Sequence, residues 1–323
     1  MGAGVRASAA TWRLLVTPQE ACGSLGLLPT ALLEGVDLAA TGGRIEETER
    51  LVSLLQDRDA VVLDLERITP AVLARCPRLR VLSRFGEGCD AIDLEAARAH
   101  GVRVARTRGV AAAAVAQHAL TLLLALTHRV TAHDRRLKQG RWQREPNGDA
   151  GALTVGIAGY GAIGGALASL ASAVGFQVVV FTRREGALAH PRAESLDALV
   201  DQSDIVSLHL PLTPQTQGII SEAVIRKLRG KCLVNTARGG LVDEAALLRA
   251  LEAGTVAGYA ADVFAQEPPR GVSEALVRHP RVIASPHVAA LDPGTAARMT
   301  VRAVENALFA LRGAHERVNA YVV

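Results

Sequence analysis

The sequence predicts an α/β fold of two doubly wound domains, a central Rossmann nucleotide-binding domain and a second α/β unit. Three observations carry this. The chain has 323 residues, whereas a single hydrophobic core seldom grows past about 250. From Leu153 onward, short Val/Ile/Leu/Ala-rich runs alternate with longer helical patterns, the signature of a parallel sheet covered by helices. A separate alternation of the same kind occupies the first hundred or so residues.

In chain order, the first unit has strand candidates at Arg13–Thr17, Ala60–Leu63, Val81–Arg84 and Val102–Arg106. An apolar helix over Ala111–His128 follows, its Ala111–Ala114 run reading as a tightly packed helix start. Six strands come next, at Thr154–Ala158, Gln177–Phe181, Ile205–Leu210, Cys232–Thr236, Ala257–Asp262 and Val282–Ser285. A complete dinucleotide-binding sheet has six. Helical patterns separate them, among them Gly164–Val174 and Glu244–Glu252, the latter introduced by Asp243 as N-cap. The helical pattern Gly294–Arg312 has no strand left to serve in that sheet. It is expected to cross back and complete the first unit, giving one domain from 1–108 and 290–323 and another from 109–289.

Composition narrows the function classes. Hydrophobic residues make up 49% and charged residues 21%, a globular balance. Aromatics are only 3%, too few for the stacking platforms that hold single-stranded nucleic acid. The net charge of +4 is spread along the chain without a basic block, so small anionic ligands fit better than DNA. Cys22, Cys76, Cys89 and Cys232 are far apart, with no metal-ligand spacing and no disulfide framework; no metal is expected, and reduced thiols point to the cytoplasm. No window has the length of a membrane span, no signal peptide is evident, and Arg6 breaks the myristoylation pattern.

The string Gly159-Tyr160-Gly161-Ala162-Ile163-Gly164 is a weak signal alone and a stronger one in context, because it follows a strand and opens a helix. Gly159 makes the tight turn, Gly161 lets backbone approach a pyrophosphate, and Gly164 lets helix pack on strand. The N–H groups of Ala162 and Ile163 then face the phosphates at the positive helix end. At the end of the second strand, where a ribose-gripping carboxylate selects NAD, the chain has Thr182-Arg183-Arg184. A small polar residue followed by two arginines suits a 2′-phosphate, so NADP(H) is expected to be preferred, with NAD(H) as the alternative.

The phosphate loop fixes which edge of the sheet holds the ligand. Arg238 lies just beyond the fourth strand, Asp262 ends the fifth, and His287 lies just beyond the sixth. Glu267 follows the fifth strand closely enough to reach the same edge. Arg offers a planar, permanently charged fork for a substrate carboxylate. Imidazolium supplies the proton that a carbonyl oxygen needs once hydride has reached its carbon, and a neighbouring carboxylate orients the ring and favours its charged form. The expected roles are Arg238 as binder and carbonyl polariser, His287 as acid/base and Glu267 as its partner.

Asp204–Thr213, Asn235–Gly240, Asp262–Pro269 and Ser285-Pro286-His287 together resemble the signature segments of the D-isomer-specific 2-hydroxyacid dehydrogenases, a family that includes phosphoglycerate dehydrogenases and glyoxylate/hydroxypyruvate reductases. Gly86–Asp93 and Val115-Ala116-Gln117-His118 extend the likeness upstream. The resemblance implies a discontinuous, flavodoxin-like substrate domain and a homodimer formed through the nucleotide domains. It implies hydride transfer between NAD(P)H and a small 2-oxo or D-2-hydroxy acid, with no nucleic-acid or membrane partner. It gives Arg238, Glu267 and His287 the roles above, Asp262 a place near the nicotinamide carboxamide, and cofactor contacts to His209, Pro211, Thr216, Thr236 and Ala237. It also gives substrate contacts to the loop of Glu87 and Gly88, with Arg106 as a further candidate. Departures from the pattern are Glu87 between two glycines, Arg106-Thr107-Arg108 in place of Asn-Thr-Pro, and Asp64-Leu65-Glu66-Arg67. Glu87 either faces solvent or selects a substrate with a cationic or hydroxyl-rich tail. Two rival functions share the scaffold, a dinucleotide-sensing co-repressor and a phosphonate- or phosphite-type dehydrogenase.

Overall fold

A computed structural model describes residues 12–323; Arg6 lies outside them. The chain divides into two compact units, one containing the described residues up to Ala111 together with Leu291–Val323, the other Ala112–Ala290. The first unit holds a parallel sheet of β1 (Trp12–Val16), β2 (Val36–Ala40), β3 (Ala60–Leu63), β4 (Val81–Arg84) and β5 (Arg103–Arg106) in the order β2-β1-β3-β4-β5. This is the flavodoxin-like order. Sequence reading overlooked β2. Its Val-Asp-Leu-Ala-Ala run lies at the sheet edge with no fully buried residue, so it lacks the apolar run that marks the strands buried on both faces.

The helix Pro293–Leu311 does return to this sheet. Asp292 caps it by accepting from Thr295 N, and Pro293 occupies its first turn. Its buried stripe includes Ala296, Met299, Ala303, Val304 and Ala307. The small residues let it lie close enough for Ser83 Oγ on β4 to donate to Ala303 O at 2.7 Å. The C-terminus covers the open edge of β5: Val322 N donates to Val104 O at 2.8 Å, Val104 N to Val323 O at 3.0 Å, and Tyr321 forms an antiparallel bridge with Ala105.

The second unit holds β6 (Thr154–Ala158), β7 (Gln177–Phe181), β8 (Ile205–Leu208), β9 (Cys232–Asn235), β10 (Gly258–Ala261) and β11 (Val282–Ala284), all parallel, in the order β11-β10-β9-β8-β6-β7. A parallel bridge between Val180 and Arg192 extends the sheet beyond β7. The strand order reverses between β6 and β8, so the loops after those two strands diverge and leave a crevice at their C-terminal ends. Four strands stop one or two residues short of the sequence reading, because Asp262, Thr236 and Ser285 already belong to the loops that form the site. The helix Ala112–Thr127 packs on β9, β10 and the helix Ala162–Ala173. Among the described residues, no helix is long and apolar enough to cross a membrane, and no group of His, Cys, Asp or Glu is placed to hold a metal ion. Cys22, Cys76 and Cys232 are not in disulfides.

Asn306, fully buried on the returning helix, ties three segments of the first unit. Its Nδ2 donates to Arg106 O at 3.1 Å and its Oδ1 accepts from Asn319 N at 2.8 Å. Asn306→Ala strands both backbone groups and is expected to cost about 2 kcal/mol. Urea unfolding followed by Trp12 fluorescence in a Trp142→Phe background checks it, and an unchanged midpoint would show that the tie contributes nothing.

Candidate active site

β6 ends at Ala158 and Gly159 turns the chain with φ of +102°. The helix Ala162–Ala173 then begins with Gly161 as its N-cap and no side chain capping it, so its first-turn amides have no partner within the helix. A Cβ on Gly164 would stand 2.0 Å from Gly159 O; only glycine allows the helix to start so close to the strand. Gly161 faces open space. An uncapped positive helix end beside open space suits an anion. Ala162 and Ile163 are its first helical residues.

Two further polar atoms at this edge lack a hydrogen-bond partner among the described residues. They are His209 Nδ1, beyond β8, and the Thr236 hydroxyl, beyond β9. Buried polar groups are rarely left so, and both belong to residues expected to meet a dinucleotide. The group fits this edge. Burial pushes His209 down to about 4, so its ring is neutral at pH 7, with Nε2 on Ser207 Oγ at 2.9 Å. Other expected cofactor contacts have partners of their own. Thr216 Oγ1 donates to Pro211 O at 2.6 Å and accepts from Thr213 N at 2.8 Å, closing its own loop. Ala237 N donates to Asn235 Oδ1 at 3.0 Å. Beyond β7, Thr182 Oγ1 accepts from Arg184 N at 3.1 Å, and Arg183 and Arg184 are exposed.

Because β9, β10 and β11 are adjacent and parallel, the loops that leave them meet. Arg238 leaves β9, and Asn235 shapes that turn by donating from Nδ2 to Arg238 O at 2.9 Å. Gly239 packs against the loop after β10, where a Cβ would stand 1.9 Å from the Phe264 carbonyl carbon. Glu267 Oε1 accepts from Phe264 N at 2.9 Å, and Oε2 lies 2.8 Å from His287 Nδ1. Burial pulls the His287 pKa down, but the hydrogen bond and charge of Glu267 outweigh it and the net shift is upward. Burial likewise raises Glu267, and His287 outweighs that, so its carboxyl stays below the usual range. The Arg238 charge is felt by both, lowering each.

His287 has φ of +55°, a conformation that costs a residue bearing a Cβ roughly 1–2 kcal/mol. Asp262, 1% exposed, holds it there. Its carbonyl accepts from His287 N at 2.8 Å; Oδ1 accepts from Ser285 Oγ at 2.6 Å and Val288 N at 2.9 Å, and Oδ2 from Ala289 N at 2.9 Å. Glu244 does the same for the loop before Glu267, accepting from Ala265 N at 2.8 Å and from the Ser273 hydroxyl. Sequence reading found neither the Asn235 turn nor this use of Glu244. Asn235 before Thr-Ala-Arg carried the local signal of an Asx turn, whereas Glu244 reads only as a first-turn helix acid.

The first unit places Arg84, 3% exposed, under the Gly86–Gly88 loop, donating from Nε to Gly88 O at 2.6 Å and from Nη1 to Leu63 O at 3.0 Å. Glu87 does not stand free. Its Oε2 accepts from Gly109 N at 2.8 Å, and Arg106 Nη1 approaches its carbonyl at 3.4 Å and its Oε1 at 3.9 Å. Arg106 and the loop are therefore one charge-compensated group.

The family model described as "D-isomer specific 2-hydroxyacid dehydrogenase, NAD binding domain" matches residues 120–289. A glycerate dehydrogenase of Methylorubrum extorquens is 35% identical over 251 residues, covering 75% of this chain and 79% of that protein. A glyoxylate reductase of Thermofilum pendens is 34% identical over 278 residues, covering 82% of each. The crystal structure of a Thermus thermophilus protein superposes with a TM-score of 0.83 at 34% identity, covering 96% of this chain and 100% of that one.

The geometry of the pair sets a titration. Glu267→Gln removes the charge that raises His287, so the imidazole is expected to deprotonate at lower pH. NMR titration of the His287 ring checks it, and an unmoved midpoint would separate the two residues in solution.

Proposed function

The chain belongs to the D-isomer specific 2-hydroxyacid dehydrogenase family, and from that premise we propose that it reduces a small 2-oxo acid to the D-2-hydroxy acid with NADPH as its preferred reductant. As a member it is an oxidoreductase that uses a nicotinamide dinucleotide. The observation that carries the rest is the 2.8 Å His287–Glu267 pair, within the field of Arg238, on the sheet edge that bears the glycine loop.

When bound, the reduced nicotinamide supplies hydride to the substrate's carbonyl carbon. Arg238 holds the substrate carboxylate with its two-pronged fork and polarises the carbonyl. With His287 Nδ1–H donating to Glu267, Nε2–H remains to pass its proton to the carbonyl oxygen. Glu267 stays ionised throughout and stabilises the imidazolium. In the oxidative direction the same Nε2, deprotonated, accepts the hydroxyl proton. Asp262 fixes the His287 loop and also lies where the family implies the carboxamide. Thr236 and His209 offer their unpartnered atoms to the dinucleotide, and Pro211 with Thr216 shapes the loop beside it; Ala237 contributes through the turn that Asn235 fixes.

We assign the second unit to the dinucleotide and the first to the substrate, with Gly88 and Arg106 as contacts. Glu87 acts through Arg106 and Gly109 rather than as a receptor for a cationic tail. Relatives named for glycerate and glyoxylate support a short, polar 2-oxo acid. Val130, Leu137 and Trp142 are exposed apolar side chains on and just after the helix Val130–Lys138, which supports a homodimer through the second unit. Cysteines that stand far apart in the sequence, without the spacing of a disulfide framework, support a cytoplasmic enzyme.

Two measurements test this reading. His287→Ala is expected to lower kcat by at least about a thousandfold while dinucleotide affinity stays near wild type, since proton transfer is made only in the transition state. A variant with near-normal turnover removes His287 from the mechanism. For the cofactor, kcat/KM should favour NADPH over NADH by at least about tenfold. That preference should vanish in the Arg183→Ala, Arg184→Ala double variant through a higher KM for NADPH, and a wild-type ratio near one sinks the assignment.

A further inference from the structure

The helix Ala112–Thr127 carries an imidazole that the mechanism above does not use. His118 Nε2 lies 2.9 Å from Ser285 Oγ and 3.6 Å from Asp262 Oδ1, with its side chain 23% exposed. Ser285 Oγ is in turn 2.6 Å from Asp262 Oδ1. A carboxylate only accepts, so the serine hydroxyl hydrogen points at Asp262. The serine oxygen then accepts, which fixes the proton of His118 on Nε2. The result is a directed chain from His118 Nε2–H to the Ser285 hydroxyl to the Asp262 carboxylate. That carboxylate also accepts from Val288 N and Ala289 N.

The segment these bonds enclose, Ser285–Ala289, carries His287 in the left-handed region. Such a conformation persists only when its surroundings over-determine it. Asp262 provides the downstream half of that restraint through two amides, and the upstream half reaches it through the Ser285 hydroxyl. His118 keeps that hydroxyl turned toward the carboxylate: without a donor behind it, Ser285 Oγ is free to rotate and Oδ1 loses its shortest bond.

We propose that His118, acting through Ser285 and Asp262, is a positioning residue that holds His287 in register with Glu267. The proposal rests on the assignment of His287 as acid/base. The groups that set the charge state of His287 are Glu267 from the loop after β10, Arg238 from the loop after β9, and Asp262 at the end of β10. His118 acts on the ring's place among them. Slackening the loop weakens the 2.8 Å bond to Glu267, and with it the interaction that keeps the imidazole protonated.

The test compares His118→Leu with His118→Gln, whose amide N–H is able to donate to Ser285 from a similar reach. In the leucine variant kcat for reduction is expected to fall roughly ten- to a hundredfold, the scale of an ångström-level misplacement. The dissociation constant for NADPH should stay within about twofold, and the NMR titration midpoint of His287 should move to lower pH. The glutamine variant should recover most of both. Ser285→Ala should reproduce the leucine variant's loss, and the His118→Leu, Ser285→Ala double variant should lose little more, as coupled members of one chain do. Equal losses in the leucine and glutamine variants, an unmoved His287 midpoint, or additive losses would each overturn the proposal. If His287→Ala retains turnover, the catalytic assignment falls, while the midpoint in His118→Leu still decides whether His118 positions the ring.

Discussion

Every strand of the second unit runs in the same direction, and that constraint places the chemistry. In a parallel sheet each strand delivers the residue that follows it to one common edge, whatever the distance along the chain. Arg238, Glu267 and His287 are separated by tens of residues, yet they leave three neighbouring strands in the order β9, β10, β11. The same rule brings the Gly159–Gly164 loop and His209 to that edge on either side of the reversal between β6 and β8. Without the shared direction, the Glu267–His287 bond would have no reason to form.

A common edge brings loops together but does not fix their shapes, and buried carboxylates do that here. Removing a carboxylate from water costs several kcal/mol unless donors replace the water. Asp262 and Glu244 are almost wholly buried; Asp262 is met by two backbone amides and a serine hydroxyl, Glu244 by one amide and a serine hydroxyl. The amides belong to the loops bearing His287 and Glu267, so the requirement to satisfy each buried charge becomes a restraint on a neighbouring residue. Glu267 differs from both. It is partly accessible and spends one oxygen on Phe264 N and the other on His287, so its charge is available to the imidazole.

These differences explain what the sequence discloses and what it hides. The strands of the second unit and the loops that follow them were legible because buried parallel strands are continuous apolar runs with glycines or polar residues at their ends. The ends of β8 to β11 were read slightly too long, for the polar residue after each strand has extended backbone and differs only in where its side chain is used. β2 was missed because an edge strand with half-exposed residues has no such run. Glu244 holds an amide far away in sequence and Ser285 joins side chains of distant elements, and nothing in their local pattern says which ones; Asn235 holds only its own turn, which its Asx pattern signals. Glu87 was legible as an anomaly but not in its meaning. Its neutralising partners are Arg106, nineteen positions on, and the amide of Gly109, a contact that depends on how the chain leaves β5.

The poise of the acid/base pair follows from opposing terms of comparable size. Burial favours the neutral imidazole and the neutral carboxyl alike, so a dry site without pairing would hold neither charge. Arg238 acts in opposite senses on the two, disfavouring the imidazolium and favouring the carboxylate. The contact between His287 and Glu267 reverses the burial effect on both at once, because each ion is the other's nearest opposite charge. That contact requires the His287 ring to be carried on a left-handed residue, since the chain must turn directly after β11 to face the loop from β10. The strained backbone and the raised basicity are therefore one requirement: the network that holds the turn also holds the proton.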